Sequence, residues 1–219
     1  IDIHLAKQQL SDAYRQLNPH MTVPTLRGDG LLLTDSQEIL QWAAGQAGEA
    51  WMDAQPALQG PIGAVVAGHY AISIEDLTFG KWMLNNKVLA RVFPAMLKRA
   101  VQSLDRRAAT ASDGGASLRA KAELNRQRLA YFSEGCAPEK LAQRQQEVRD
   151  FAAALPLVSP GAGLFGPRCS RADVLVAVLF ARLAMIDEFS LVTRADLLAW
   201  WDWVQLRPAF RQADIWTRL

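Results

Sequence analysis

The chain has 219 residues, half of them hydrophobic and 21% charged, and its 24 Lys and Arg nearly balance 22 Asp and Glu, for a formal net charge of +2. This is an ordinary soluble globular composition with enough chain to bury a core, and the charge balance excludes a strong polyanion such as nucleic acid as the implied partner. No apolar run reaches the roughly 20 residues of a membrane span, and the two cysteines, Cys136 and Cys169, lack metal-ligand spacing and fit a reducing, cytoplasmic compartment with no disulfide framework.

In chain order, Ile1, Ile3 and Leu5 alternate with polar residues as a half-buried strand does, and a strand already in progress at Ile1 implies a processed or trimmed N-terminus. Leu10 to Leu17 is a short helical stretch closed by Asn18-Pro19. "TVPTLRGDGLLLTDSQEI" (22 to 39) then holds strand formers on either side of Arg27-Gly28-Asp29-Gly30 and reads as a hairpin, although Pro24 removes a ladder donor. Thr34-Asp35-Ser36 supplies N-cap side chains for a helix with Ile39, Leu40, Ala43 and Ala44 on its apolar stripe. The first turn of such a helix offers backbone N–H groups and a positive dipole end, where a ligand carboxylate would sit.

Gly45 to Gly63, with four glycines and two prolines, reads as a linker. Everything beyond it predicts helix: 62 to 72, 77 to 108 (with Pro94 inside), 117 to 133, 138 to 155, an apolar helix from Arg171, and two short helices split at Arg207-Pro208. "TASDGGAS" and "LPLVSPGAGLFGPR" are the breaks between them. A small mixed α/β unit followed by a larger all-α unit is the expected fold class.

Three stretches carry a resemblance. "LNPHMTVPTL" followed by "DGLLLTDSQEIL" resembles the thioredoxin-like domain of the glutathione transferase family from its second strand onward. "CSRADVLVAVLFARL" is similar to that family's helix N-capping box and hydrophobic staple, with Ser170 and Asp173 at N-cap and N3 and Cys169 and Val174 at the staple positions. "WWDWVQLRPAF" is similar to the family's C-terminal ending. Within the family the helical half looks closest to the branch of tetrachlorohydroquinone dehalogenase-like and ganglioside-induced differentiation-associated proteins, whose extra helical sequence would correspond to residues 75 to 115.

The resemblance implies a thioredoxin-like glutathione-binding domain at 1–46, a linker at 47–60 and an all-helical domain at 61–219. It also implies two-fold homodimers and an enzyme of detoxification, which uses glutathione as co-substrate and passes its thiolate to a small hydrophobic electrophile, dehalogenation included. A non-catalytic binding or interaction protein of the same fold is the alternative; an unrelated all-α protein with a small sheet is a third reading. The family's roles carry over residue by residue. A cis Val23-Pro24 bond lets Val23 present its N–H and C=O to the cysteinyl backbone of glutathione. Ser36 donates to the γ-glutamyl carboxylate, and Asp35 meets the ammonium group. His20 lies near the position of a cation for the glycine carboxylate, or is a surface-turn histidine; Lys7 is a second candidate cation, although a solvated surface lysine is the better reading of it. Phe79, Trp82 and Met83 lie near the family's hydrophobic substrate pocket, although their helical spacing serves a core equally well. The thiol-activating residue lies after the family's first strand, in a segment that the resemblance does not find in this chain, so no catalytic residue is named, and no metal site is expected. Trp200, Trp201 and Trp203 fall on different helix faces and predict packing, the basic residues Lys98, Arg99, Arg106 and Arg107 predict a solvated face, and both cysteines predict structural roles.

Overall fold

The computed structural model describes residues 7–133 and 137–213. The strand expected at Ile1, Ile3 and Leu5 and the side chain of Cys136 lie outside them. By packing, residues 7–42 and 86–133 form one compact unit, and residues 43–85 and 137–213 form a second, so the two interleave along the chain.

In the first unit, helix α1 (Asp12–Leu17) starts where the Ser11 hydroxyl accepts from the Tyr14 N–H at 3.2 Å. It ends at Asn18, whose extended backbone leads into Pro19. Strands β1 (Leu26–Gly28) and β2 (Leu31–Leu33) pair antiparallel, with Leu26 opposite Leu33 and Gly28 opposite Leu31. The two-residue turn between them is Asp29-Gly30, and Gly30 takes the left-handed φ of 70° that this turn demands. The ladder begins at Leu26, later than the strand formers Val23 and Thr25 suggest, because Pro24 has no N–H to give it. Helix α2 (Ser36–Ala47) follows.

Helices α5 (Lys87–Thr110) and α6 (Ala116–Ser133) pack as a hairpin in the same unit. Their buried stripe, with Leu104, Ala108, Leu118 and Ala122, closes over the fully buried Met21, and Phe93 meets Phe132 edge-to-face at 5.1 Å. Arginines tie α1 to this hairpin. Arg107 donates to the Leu10 carbonyl at 2.6 Å and to Asp12 at 2.8 Å, and Arg15 donates to Asp113 at 2.6 Å. The Arg107 hydrogen bond holds the Asp12 carboxyl below its ordinary range; for Asp113 the Gly115 N–H contributes most and Arg15 next. These pairs are solvent-screened and contribute modestly.

One expectation is corrected here. The helix expected over 77 to 108 is two helices, α4 (Ile74–Asn85) in the second unit and α5 in the first. Asn86 separates them: its backbone is extended, and its side-chain oxygen accepts from Val88 N and Leu89 N, both at 3.0 Å. Asparagine competes for backbone partners in this way, which is why it caps helices better than it continues them. Pro94 does not interrupt α5.

The second unit also contains α3 (Gln59–Ala71), α7 (Pro138–Ala154), α8 (Arg171–Met185), α9 (Ala195–Leu206) and α10 (Pro208–Gln212). Its axis is α8, where Val176, Leu179, Phe180 and Leu183 are all fully buried. The Phe180 ring meets Phe189, Trp200 and Trp201 edge-on at 5.6, 5.6 and 5.9 Å, so Trp200 and Trp201 are core, while Trp203 is half-buried with the Arg207 guanidinium over its ring at 4.6 Å. The Gly- and Pro-rich stretch before α3 winds through three single 3-10 turns, Gly48–Ala50, Met52–Ala54 and Pro56–Leu58. Met52 and Asp53 are buried there, and Asp53 accepts from the Arg171 side chain at 2.6 Å and its backbone N–H at 2.9 Å, fastening the stretch to the start of α8.

The fold class is the expected one, a two-stranded sheet with its helix followed by a largely helical body. Among the described residues no helix is long and apolar enough to cross a membrane.

Candidate functional site

The loop from Asn18 to Thr25 is held from beneath by two polar side chains. Tyr14 on α1 donates its hydroxyl to the Thr22 carbonyl at 2.7 Å and shares a hydrogen bond with the Thr25 hydroxyl at 2.8 Å. Asn18, fully buried, donates Nδ2 to the same carbonyl at 2.8 Å and to the Thr22 and Thr25 hydroxyls at 3.2 Å each; its Oδ1 accepts from His20 N at 3.0 Å. A buried amide with all these partners rigidifies its surroundings, since any broken bond leaves a desolvated polar atom. Met21 sits at a left-handed φ of 52° with its side chain in the core.

This clamp delivers the Val23-Pro24 peptide bond, which is cis. Val23 is exposed, and among the described residues none hydrogen-bonds its N–H or its C=O. The flanking carbonyl, that of Thr22, accepts from both Tyr14 and Asn18. Sequence reasoning did not single out Tyr14 or Asn18. The only trace of Asn18 is its place before Pro19 at a helix end, and Tyr14 leaves none.

Downstream, Asp35 caps α2. Its Oδ1 accepts from Gln37 N at 2.8 Å and Glu38 N at 3.3 Å, and its carbonyl accepts from Ile39 N at 3.0 Å. Of the three residues expected to share that duty, Asp35 takes the cap, and Ser36 becomes the first helical residue, half-buried. Asp35 is exposed, and no hydrogen bond to its Oδ2 is made from the described residues. A carboxylate oxygen beside the N-terminus of a helix can receive an ammonium group, and Ser36 follows it at the first helical position.

His20 is exposed, and Lys7 is half-buried at the entrance to the first 3-10 turn. Val23, Pro24, Asp35, Ser36, His20 and Lys7 all belong to the first unit; Phe79, Trp82 and Met83 lie on α4 in the second. There Phe79 meets Trp82 edge-on at 5.7 Å, both half-buried, while Met83 is buried. Cys169 sits just before the α8 cap, and burial, followed by the nearby Asp173 charge, pushes its thiol above the ordinary range. That is the opposite of an activated thiolate. Among the described residues no three His, Cys, Asp or Glu side chains converge as a metal-binding set.

The family model described as "Glutathione S-transferase, N-terminal domain" matches residues 2–51 of this chain, a span that contains the Asn18–Thr25 clamp, the cis bond, the hairpin and α2. No curated protein and no solved structure matches the chain significantly.

Proposed function

We infer that the chain is a glutathione transferase, which binds glutathione on residues 1–46 and transfers its thiolate to a small hydrophobic electrophile. The observation that carries the reading is the Val23 backbone, whose donor and acceptor are both open among the described residues beside the cis bond, within a segment matched by the N-terminal domain model of that family. An extended cysteinyl backbone needs one such pair of groups to dock antiparallel, as an added strand does. In this arrangement the γ-glutamyl carboxylate lies at the start of α2 against Ser36, the ammonium group meets Asp35 Oδ2, and His20 or Lys7 faces the glycine carboxylate. Phe79, Trp82 and Met83 are the proposed apolar walls for the second substrate.

Catalysis then consists of positioning and electrostatics. Donors to the sulfur favour its thiolate, the thiol proton leaves to solvent, and sulfur attacks the electrophilic carbon. On a halide-bearing ring a C–S bond forms and the carbon–halogen bond breaks, its electron pair leaving with the halide. Residues 47–60 link the binding domain to the helical domain at 61–219. The finer placement, in the tetrachlorohydroquinone dehalogenase-like and ganglioside-induced differentiation-associated branch, rests on the sequence resemblance of the helical half alone. A cytoplasmic homodimer belongs to the same reading, and Val88 and Val92, 70% and 43% exposed on α5, favour a second copy on that helix.

Retention on immobilised glutathione tests the site. Ser36→Ala removes a donor to a carboxylate and is expected to weaken binding about ten-fold, in line with a charge-assisted hydrogen bond. Equal retention of the variant and the parent sinks the assignment. Retention with no conjugation of an activated aryl halide selects the non-catalytic binding protein instead. Sedimentation at micromolar concentration tests the dimer, which a single species at the 24.2 kDa chain mass would refute.

A further inference from the structure

A second feature of the first unit places Lys7 at the wall of a cavity, which leaves His20 as the cation for the glycine carboxylate in that reading. Where the turn before α1 meets the middle of α5, a cavity of about 380 Å³ opens to solvent. Fully buried Leu104 lies at its apolar base with Leu10, and Lys7, Arg99, Arg107 and the hydroxyl of Ser103 line it. Among the described residues no carboxylate lines it. Asp12, the acid paired with the lining residue Arg107 at 2.8 Å, is also held by Arg15 at 3.3 Å. Among the described residues Lys7 and Arg99 enter no ion pair, and the other acid on this part of α5, Asp105, is taken by Arg126 at 2.6 Å.

Two uncompensated cations beside one cavity repel each other unless an anion joins them, and a guanidinium, an ammonium and a hydroxyl are the donor set that a tetrahedral oxyanion uses. A monocarboxylate would cancel only one of the two charges; a phosphate monoester, close to doubly charged at neutral pH, cancels both. The volume exceeds what a bare phosphate fills and falls within the range of small-ligand sites, while Leu10 and Leu104 supply apolar wall for the body that carries the phosphate. We propose that this cavity binds a small organic phosphate, with Arg99 and Lys7 on the phosphate, Ser103 as a neutral donor, and Leu10 and Leu104 against its apolar part.

Calorimetric titration of the full chain with phenyl phosphate in low salt tests this directly. Saturable one-to-one binding is expected, displaced by inorganic phosphate and weakened about ten-fold in Arg99→Ala and in Lys7→Ala. Arg99 is exposed and makes no bond among the described residues, so its removal is expected to leave the fold intact. Arg91→Ala, which removes an exposed arginine of the same helix outside the cavity, should bind as the parent does. The proposal is overturned by any of three results: no saturable binding at millimolar phenyl phosphate, benzoate binding as tightly, or the same loss in Arg91→Ala as in Arg99→Ala.

Discussion

The Asp173 carboxylate and Ser170 close the start of α8 reciprocally. Asp173 Oδ2 accepts from the Ser170 N–H at 2.8 Å and its hydroxyl at 2.7 Å, while the Ser170 Oγ accepts from Asp173 N at 3.4 Å. The other carboxylate oxygen accepts from Leu164 N at 2.8 Å and from the Trp200 indole at 3.2 Å, so one side chain ties a helix start, the preceding loop and α9 together. Burial pushes this carboxyl above its ordinary range, and the four donated bonds oppose that shift.

Asp173→Ala therefore orphans several buried donors together. A lost cap alone costs about 1 kcal/mol, and each stranded buried donor adds about 1–3 kcal/mol. A loss of about 3 kcal/mol or more is expected from urea unfolding, and Asp173→Asn, which keeps one acceptor oxygen, should fall between. A midpoint for Asp173→Ala equal to the parent's would refute the capping role.

His69 gives the fold an acid-sensitive point. It is 4% exposed on α3, its Nδ1 has no hydrogen-bond partner, and burial depresses its pKa from 6.5 to about 4. Between those values the unfolded chain binds a proton that the folded chain refuses. Stability is therefore full above about pH 6.5 and is lost as pH falls towards 4, by up to about 3 kcal/mol at 1.36 kcal/mol per pKa unit. His69→Leu should flatten urea midpoints over that window. An unchanged pH slope in the variant would rule His69 out.

Arg194 collects the end of α7. Its guanidinium donates to the carbonyls of Ala152, Leu155 and Pro156 at 3.2, 2.6 and 2.9 Å and to Asp196 at 2.6 Å, and Asp196 also accepts from Val158 N at 3.0 Å. Arg194→Ala is expected to cost about 2 kcal/mol, and Arg194→Lys should recover little, because a single ammonium cannot span the fork. The Arg194 hydrogen bond holds the Asp196 pKa at about 2 against an ordinary 3.8. Its contribution is present above about pH 4 and disappears as pH falls through 2. In Asp196→Asn that portion of the acid transition should be missing, which melts recorded between pH 4 and 2 would detect.

Gly115 joins α5 to α6 at a φ of +62°, and its N–H donates to Asp113 at 3.0 Å. A Cβ there would approach the Ala108 carbonyl oxygen to 2.6 Å and its Cα to 2.8 Å, contacts with backbone that cannot swing aside. Gly115→Ala is expected to cost about 2 kcal/mol or more, beyond the usual penalty for a left-handed alanine. Gly114→Ala, also left-handed at +74° but with open space around it, is the control and should cost less. Equal costs would remove the steric argument.

Signals that act within a few residues were legible in the sequence. Asn18-Pro19 ends α1, Asp29-Gly30 turns the hairpin, Ser170 and Asp173 open α8, and Arg207-Pro208 divides the last two helices, because each depends on dihedral preference or a local hydrogen bond. The acid at the head of α2 was readable for the same reason, and so was the cis bond, through the resemblance of the residues around it. What depended on distant partners was not. The composition around Met52 and Asp53 reads as open linker, yet they are buried because Asp53 finds Arg171, 118 positions further on. Tyr14 and Asn18 look like ordinary polar residues until the loop returns the Thr22 carbonyl to them. The period of Leu97, Leu104 and Ala108 tells that α5 buries a face, but apolar burial has no direction. Only the tertiary structure decided that this face closes over Met21 and α6 rather than joining the helical core built around α8.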